Sequence, residues 1–155
     1  MASPCRNHQK RRSFSLATAA ILAAGLLSPA TAAAGDAVAF QRTVKRTCNA
    51  ELCDLSMFKP GKFERAEIVS VSCQVVTWND AELYRLSLVN TKTGDEDYLV
   101  PALVSTPSTT TRYVANHTTL LIAERRQKLG IAAVATGGTI AAIACKIAGY
   151  VETLD

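Results

Sequence analysis

Four cysteines, Cys48, Cys53, Cys73 and Cys145, have the most definite chemistry in the chain, and a fifth, Cys5, lies in an N-terminal segment that we expect to be removed. An even set of thiols in an exported protein is typical of disulfides, and four cysteines allow three pairings. We expect Cys48 to pair with Cys53 and Cys73 with Cys145. In the chain-entropy model the short bridge contributes about 2 kcal/mol and the long one about 4 kcal/mol. A zinc site is disfavoured because the chain has no Cys-x-x-Cys pair.

A second group of residues has the composition of a carbohydrate site. Trp78 offers a flat apolar ring, Asn79 and Asp80 beside it offer hydrogen-bonding side chains, and Tyr84 follows four residues later. Aromatic residues of this kind are also ordinary members of the core and rim of a small β-domain. We therefore predict ligand binding at Trp78, Asn79, Asp80 and Tyr84, with a structural role as the alternative.

A third group is acidic. Asp95 and Asp97 follow Gly94 in a polar segment, and closely spaced carboxylates on a turn can bind calcium. The spacing of an EF-hand is missing, and most acidic turns are simply hydrated. The sequence thus predicts no defined metal site, with calcium at Asp95 and Asp97 as the metal hypothesis to test.

Groups for catalysis are scarce. His117 is the only histidine outside the N-terminal segment, no Gly-x-Ser-x-Gly motif is present, and the neighbours of His117 suggest a turn between two strands. Glu67, Asp80 and Glu82 can supply a carboxylate pair for glycoside hydrolysis only if folding brings two of them close together. We predict no catalytic residues, no cofactor and no enzymatic activity, and we retain a glycan hydrolase as an alternative.

The first 34 residues have the pattern of a signal peptide. A basic head precedes an apolar run at 14–27 and small residues at 30–32, which suit a signal peptidase. The basic residues are Arg6, Lys10, Arg11 and Arg12. Residues 11–14 resemble the twin-arginine signal, but Lys10 and Ser15 depart from it, so both export routes stay open. The sequence predicts a cleaved signal peptide at 1–34 and a secreted or periplasmic protein.

Removal of that segment changes the charge balance. The chain has 17 Lys and Arg residues against 13 Asp and Glu, and four of the cations lie in the first 34 residues, which leaves 13 of each. Nucleic acid needs clustered positive charge, so we exclude it as a partner. The remaining length suits one domain, at 35–155.

Alternation of apolar and polar residues predicts the elements that must position these groups. Residues 66–78 alternate regularly, with Val69, Val71, Cys73 and Val75 on one face and Ser70, Ser72 and Gln74 on the other, which predicts a half-buried strand. After a turn at 79–80, residues 83–90 return with Tyr84, Leu86 and Leu88 on one face, so we predict a hairpin. Pro101 places the next run, at 98–104, on a sheet edge or at a bulge. Short strands are predicted at 112–115 and 118–122.

The segment 129–145 carries no charge and permits three structures. A hairpin about Gly137 and Gly138, a helix and a membrane span all fit part of its pattern. The Gly-Gly turn and the strand-rich chain before it favour the hairpin.

Together these patterns predict an all-β fold, an antiparallel β-sandwich of jelly-roll type, in which a last strand at 145–151 is linked to the strand of Cys73. For function they predict a non-enzymatic binding or envelope-interaction module of unknown ligand. The alternatives are the glycan hydrolase and a disulfide-stabilised inhibitor or structural protein. The expected partner is a glycan or a cell-envelope protein, and no transmembrane anchor is expected after cleavage.

Overall fold

A computed structural model describes residues 37–79, 81–105 and 109–154. The predicted signal peptide and Asp80 lie outside these residues. The described part of the chain contains nine strands and no helix. The strands are β1 (Val38–Ala50), β2 (Leu52–Phe58), β3 (Glu64–Trp78), β4 (Glu82–Asn90), β5 (Glu96–Tyr98), β6 (Ala102–Ser105), β7 (Thr110–Ala123), β8 (Leu129–Thr136) and β9 (Ile140–Thr153).

The strands form two antiparallel sheets, which confirms the prediction of an all-β sandwich. One sheet has five strands in the order β1-β9-β3-β7-β6, and the other has four in the order β2-β8-β4-β5. Every strand pairing is antiparallel. Only the β4–β5 and β6–β7 connections stay within one sheet, and the other connections cross between sheets.

The core lies between the two sheets because most strands alternate apolar side chains toward the partner sheet with polar ones toward solvent. The largest completely buried side chains come from both layers. They include Met57, Ile68, Leu86, Leu88, Leu129, Ile131, Ile140, Ile143 and Ile147. Burying one side chain of this size contributes about 1.5–3 kcal/mol relative to leaving it exposed.

Because of two β-bulges, the faces predicted for Val69 in β3 and Tyr84 in β4 are wrong. The register shifts between Ile68 and Ser70 in β3, and between Leu83 and Arg85 in β4. Each bulge inserts one extra residue and so reverses the alternation on one side of it. Val69 was predicted to face the core with Val71, but it is only half-buried. Tyr84 was predicted to share the face of Leu86, but it is 77% exposed.

The two predicted hairpins are wrong in their pairing, although the turns fall where the sequence placed them. β3 belongs to the five-stranded sheet and β4 to the four-stranded one. β8 and β9 are separated in the same way. Because both are strands, the helix considered as an alternative for 129–145 is also wrong. Each pair meets across the core because both strands have an apolar face to bury. In the described part of the chain, no helix has the length and apolarity needed to cross a membrane.

Two further predictions concern β7 and Pro101. The two short strands predicted at 112–115 and 118–122 are one strand, β7, with His117 inside it rather than in a turn. Pro101 lies in the link between β5 and β6, the edge strands of the two sheets, as its missing N–H predicts.

Both disulfides have the predicted pairing, and they indicate an oxidising environment. Cys73 and Cys145 are directly opposite in the β3–β9 pair, with 4.1 Å between their Cα atoms, and both are buried. The Cα atoms of Cys48 and Cys53 are 5.8 Å apart. This second bridge joins the end of β1 to the start of β2, so it links the two sheets at a corner.

A buried amide network closes the opposite end of the sandwich. The Asn90 Nδ2 atom donates to Gln127 Oε1 at 2.6 Å and to the Ile122 carbonyl at 3.4 Å. The same Gln127 oxygen accepts from the Glu124 N–H at 2.9 Å, and Asn90 Oδ1 accepts from the Lys92 N–H at 3.2 Å. The network ties the β4–β5 turn to the β7–β8 turn.

Replacing Asn90 with alanine should lower the free energy of unfolding by about 1–3 kcal/mol, because buried polar groups then lose their partners. Urea denaturation followed by tryptophan fluorescence measures this loss. The matched control is Gln41→Ala, an exposed amide whose removal should change stability by less than about 0.5 kcal/mol. Equal effects of the two substitutions would contradict a structural role for the network.

The two disulfides should contribute unequally. Replacing Cys73 and Cys145 with alanine should cost about 4 kcal/mol, and replacing Cys48 and Cys53 about 2 kcal/mol, because the longer loop restricts the unfolded chain more. The sequence separations are 72 and 5 residues. The same denaturation measurement compares the two double variants, and a larger loss from the Cys48/Cys53 pair would refute this order.

Candidate functional site

The structure places the two aromatic residues of the predicted carbohydrate site in different sheets. Trp78 ends β3, is 40% exposed, and donates its backbone N–H to the Thr139 carbonyl at 2.8 Å. Tyr84 lies on β4 in the other sheet, and Asn79 has a left-handed backbone with φ of 57°. Asp80 is outside the described residues. The two rings therefore do not share one strand surface, and a binding role for these four residues stays a prediction.

The predicted calcium ligands also separate. The Thr93 hydroxyl donates to Asp95 Oδ2 at 2.6 Å, within the turn. Asp97 Oδ2 instead lies 3.4 Å from Nε2 of His117 and so bridges β5 to β7. No cluster of three or more potential metal ligands occurs in 37–79, 81–105 and 109–154. Calcium binding stays a prediction that this arrangement does not favour.

Glu67 and Glu82, two of the three carboxylates considered for hydrolysis, do not converge either, and the third, Asp80, lies outside the described residues. Glu67 pairs with Tyr150 in the five-stranded sheet, whereas Glu82 pairs with Thr136 in the four-stranded sheet, at the opposite end of the sandwich. From Glu67 to Thr77, next to the β3–β4 turn, β3 runs ten residues, which is about 33 Å of strand. Glycosidase carboxylates lie about 5–9.5 Å apart, so these two glutamates cannot act as such a pair.

The outer face of the five-stranded sheet holds a more regular arrangement of polar groups. Strand register aligns Thr43, Lys146, Ser72 and Asn116 in one row across β1, β9, β3 and β7. One neighbouring row is Gln41, Ala148, Ser70 and Thr118, and the other is Lys45, Ala144, Gln74 and Val114. We call these twelve residues the polar face.

The polar face exists because its strands bury the alternate residues. On β3, Val71, Cys73 and Val75 point into the core, so Ser72 and Gln74 point outward. Nine of the twelve side chains can form hydrogen bonds, two of these are ammonium groups, and none is a carboxylate. The face therefore offers hydroxyl, amide and ammonium groups without an acidic group to repel an anion.

Two shallow hollows lie on this face. One of about 390 Å³ is lined by Ser70, Ser72, Asn116, Thr118 and Lys146, among others. The Ser72 hydroxyl donates to Asn116 Oδ1 at 2.7 Å, which leaves the Asn116 amide N–H groups free to donate to a ligand.

The second hollow, of about 320 Å³, adjoins the first along β3 and β9. Lys45 and Gln74 line it, and Ala142 and Ala144 form its floor, because their methyl groups rise less than the side chains on the flanking strands. The two hollows share no lining residue and follow one another along these strands.

The outer face of the four-stranded sheet differs in charge. Its hollow of about 310 Å³ has Gly130 and Ala132 as a floor. Arg46, Lys128 and Asp54 lie on its rim. A separate cluster on β4 and β5 contains Arg85 and Glu96, whose Nε and Oε1 atoms are 3.6 Å apart. Opposite charges on this face thus compensate one another.

Glu96 is the group with a shifted pKa in this cluster. The Ser87 hydroxyl beside the carboxylate lowers the pKa of Glu96 most, although it makes no hydrogen bond of good geometry. Partial burial opposes this shift, and the Tyr98 hydroxyl, which donates to Oε2 at 3.1 Å, and Arg85 also lower the pKa. Glu96 is consequently held in its charged form.

No family model, no curated protein and no solved structure matches this chain. The site must therefore be judged from its own geometry. The sequence already placed Ser70, Ser72 and Gln74 on the polar side of β3, but it could not show which residues of β1, β7 and β9 lie beside them.

Replacing Glu96 with glutamine should reduce stability at neutral pH. A pKa below the ordinary value of 4.5 means that ionisation of Glu96 favours the folded state. That stabilisation is complete above the pKa of the unfolded chain and is lost as pH falls through the lower folded-state pKa. Urea midpoints measured from pH 7 to pH 3 should therefore fall less steeply below 4.5 in Glu96→Gln than in the unmodified protein. Exposed Glu82→Gln is the control, and the same change in slope for both variants would refute the assignment.

Proposed function

We propose that this protein is an exported, non-enzymatic binding module that recognises a glycan of the cell envelope through the polar face. The observation that carries the proposal is the aligned set of nine hydrogen-bonding side chains without a carboxylate across four adjacent strands. The hollows of about 390 and 320 Å³ give this face a concave surface.

The chemistry of the face favours a saccharide over an apolar ligand. Sugar hydroxyls both donate and accept hydrogen bonds, and so do the hydroxyls and amides of Ser72, Thr118, Gln74 and Asn116. Neighbouring strands are about 4.8 Å apart and successive rows about 6.8 Å apart, so the groups repeat over an extended ligand. Lys146 adds a preference for an acidic glycan, because it donates charge-assisted hydrogen bonds.

The N-terminal sequence and the two disulfides support the exported location in this proposal. The pattern of residues 1–34 is that of a signal peptide, and the two disulfides suit an oxidising compartment outside the cytoplasm, either secreted or periplasmic. The first alternative, a glycan hydrolase, has no support from the separated Glu67 and Glu82. The second, an inhibitor that uses the Cys48–Cys53 corner, is less favoured because that bridge already has the structural task of joining the sheets.

We also propose that the sandwich is of jelly-roll type. The orders β1-β9-β3-β7 and β2-β8-β4-β5 are those of the two four-stranded sheets of a jelly roll, in which every connection but β4–β5 crosses between the layers. β6 adds to the first sheet as an extra edge strand. In this arrangement the β1–β2, β3–β4 and β8–β9 connections gather at one end, where the Trp78 N–H bonds to the Thr139 carbonyl and the Ala135 N–H to the Glu51 carbonyl.

Substitution on the polar face should weaken glycan binding. The mature protein is titrated, with NMR detection of backbone amides, with an oligomer of N-acetylglucosamine as a neutral probe and an oligomer of uronic acid as an acidic one. Lys146→Ala and Asn116→Ala should each weaken binding about tenfold, the effect of losing roughly 1.4 kcal/mol of interaction.

The control is Lys128→Ala, which removes an exposed cation from the other sheet's outer surface. It should leave the affinity unchanged. Binding that moves only amides of the four-stranded sheet, or that survives both polar-face substitutions, would overturn the assignment of the face. Failure of both probes to bind would overturn the glycan proposal.

A further inference from the structure

One side of the sandwich presents apolar side chains to solvent. β5 and β6 are the edge strands of the two sheets on this side. Tyr98 is 58% exposed, Val100 80%, Leu103 59% and Val104 58%. We call residues 98–105 the apolar edge. All four residues of β6 are exposed, so in the described part of the chain this strand contributes no side chain to the core.

The opposite side of the sandwich is different. There the edge strands are β1 and β2, and β1 carries Arg42, Lys45 and Arg46 while β2 carries Asp54. Charges on edge strands are a common protection against pairing with another chain. Residues 98–105 contain no charged side chain. β6 is therefore an edge strand without this protection, although β5 beside it carries Glu96 and Asp97.

β6 also has unused backbone hydrogen-bonding groups. It is the last strand of its sheet and pairs only with β7, through Ala102, Leu103 and Ser105. Among residues 37–79, 81–105 and 109–154, no strand lies beside the N–H and C=O groups on its outer edge. Val104 is the extra residue of a bulge, because the register shifts between Leu103 and Ser105. A partner must therefore contact the exposed Leu103 and Val104 side chains as well as the backbone.

We propose that a second copy of this chain binds the apolar edge, with β6 of each copy antiparallel to β6 of the other about a two-fold axis. Such a contact is isologous, so each surface must be compatible with itself. An uncharged edge meets this condition, whereas β1 against β1 would bring cations together and β2 against β2 would bring carboxylates together. The balance of 13 cationic and 13 anionic residues in 35–155 removes long-range repulsion between copies.

This contact is independent of the proposed glycan site. The polar face lies on the outer surface of β1, β9, β3 and β7, and the apolar edge lies beyond β7 on β6 and the link to β5. Pairing through β6 would join two five-stranded sheets edge to edge and leave both polar faces open. Loss of either property would leave the other testable.

Sedimentation velocity of the mature protein tests the proposal. Samples from about 1 to 200 μM should show a monomer–dimer equilibrium, since a small edge contact is in the range of weak interfaces. Leu103→Lys and Val104→Lys should each raise the dissociation constant of the dimer at least tenfold, because they place like charges at the contact. Both side chains are exposed, so the fold should be retained, which circular dichroism verifies.

Val38→Lys is the matched control, because Val38 is a 65% exposed apolar residue of β1, on the protected side. It should leave the dimer unchanged. Hydrogen exchange at the Leu103 and Val104 amides should slow as the concentration rises. A monomer at every concentration would overturn the proposal, even if another protein's strand were found to bind this edge. So would a dimer that survives both β6 substitutions, is weakened equally by Val38→Lys, or leaves exchange in β6 unchanged.

Discussion

The contact between the inner faces of the two sheets is the interaction on which the rest of this structure depends. Neither sheet is built from a continuous piece of chain, because most connections cross from one layer to the other. Ile68 and Ile147 from one layer and Leu88 and Ile131 from the other are completely buried. Each sheet can therefore form only as the core between them forms, and the polar face depends on this burial since the same strands must turn their alternate residues outward.

Alternation within a strand was predictable from sequence, and pairing between strands was not. The pattern around Cys73 identified β3, and the four cysteines gave the correct disulfides because an even set of thiols in an oxidising environment is typical of paired cysteines. The bulges at Val69 and Tyr84 were missed because both residues continue the apolar pattern in the sequence. The bulges change the direction of their side chains, and the residue types do not show this. The Gly137-Gly138 turn was found, but a turn does not show whether the next strand lies beside the first or across the core.

The same limit applies to the candidate site. Sequence reasoning looked for unusual residues close together in the chain and chose Trp78, Asn79, Asp80 and Tyr84. The polar face instead consists of common residues that are far apart in sequence, such as Thr43, Ser72 and Lys146, and it becomes visible only when strand register places them in rows. Its chemistry lies in the absence of carboxylates as much as in the groups present.

The two disulfides differ in when they can close during maturation. Cys48 and Cys53 are separated by 5 residues and Cys73 and Cys145 by 72. The short pair can meet in an unfolded chain, because closing a small loop requires little search. The long pair is adjacent only after β3 and β9 have paired, so its oxidation follows assembly of the middle of the sheet. The Cys73–Cys145 bridge thus makes permanent a topology that hydrophobic burial has already selected, and early oxidation cannot replace that selection.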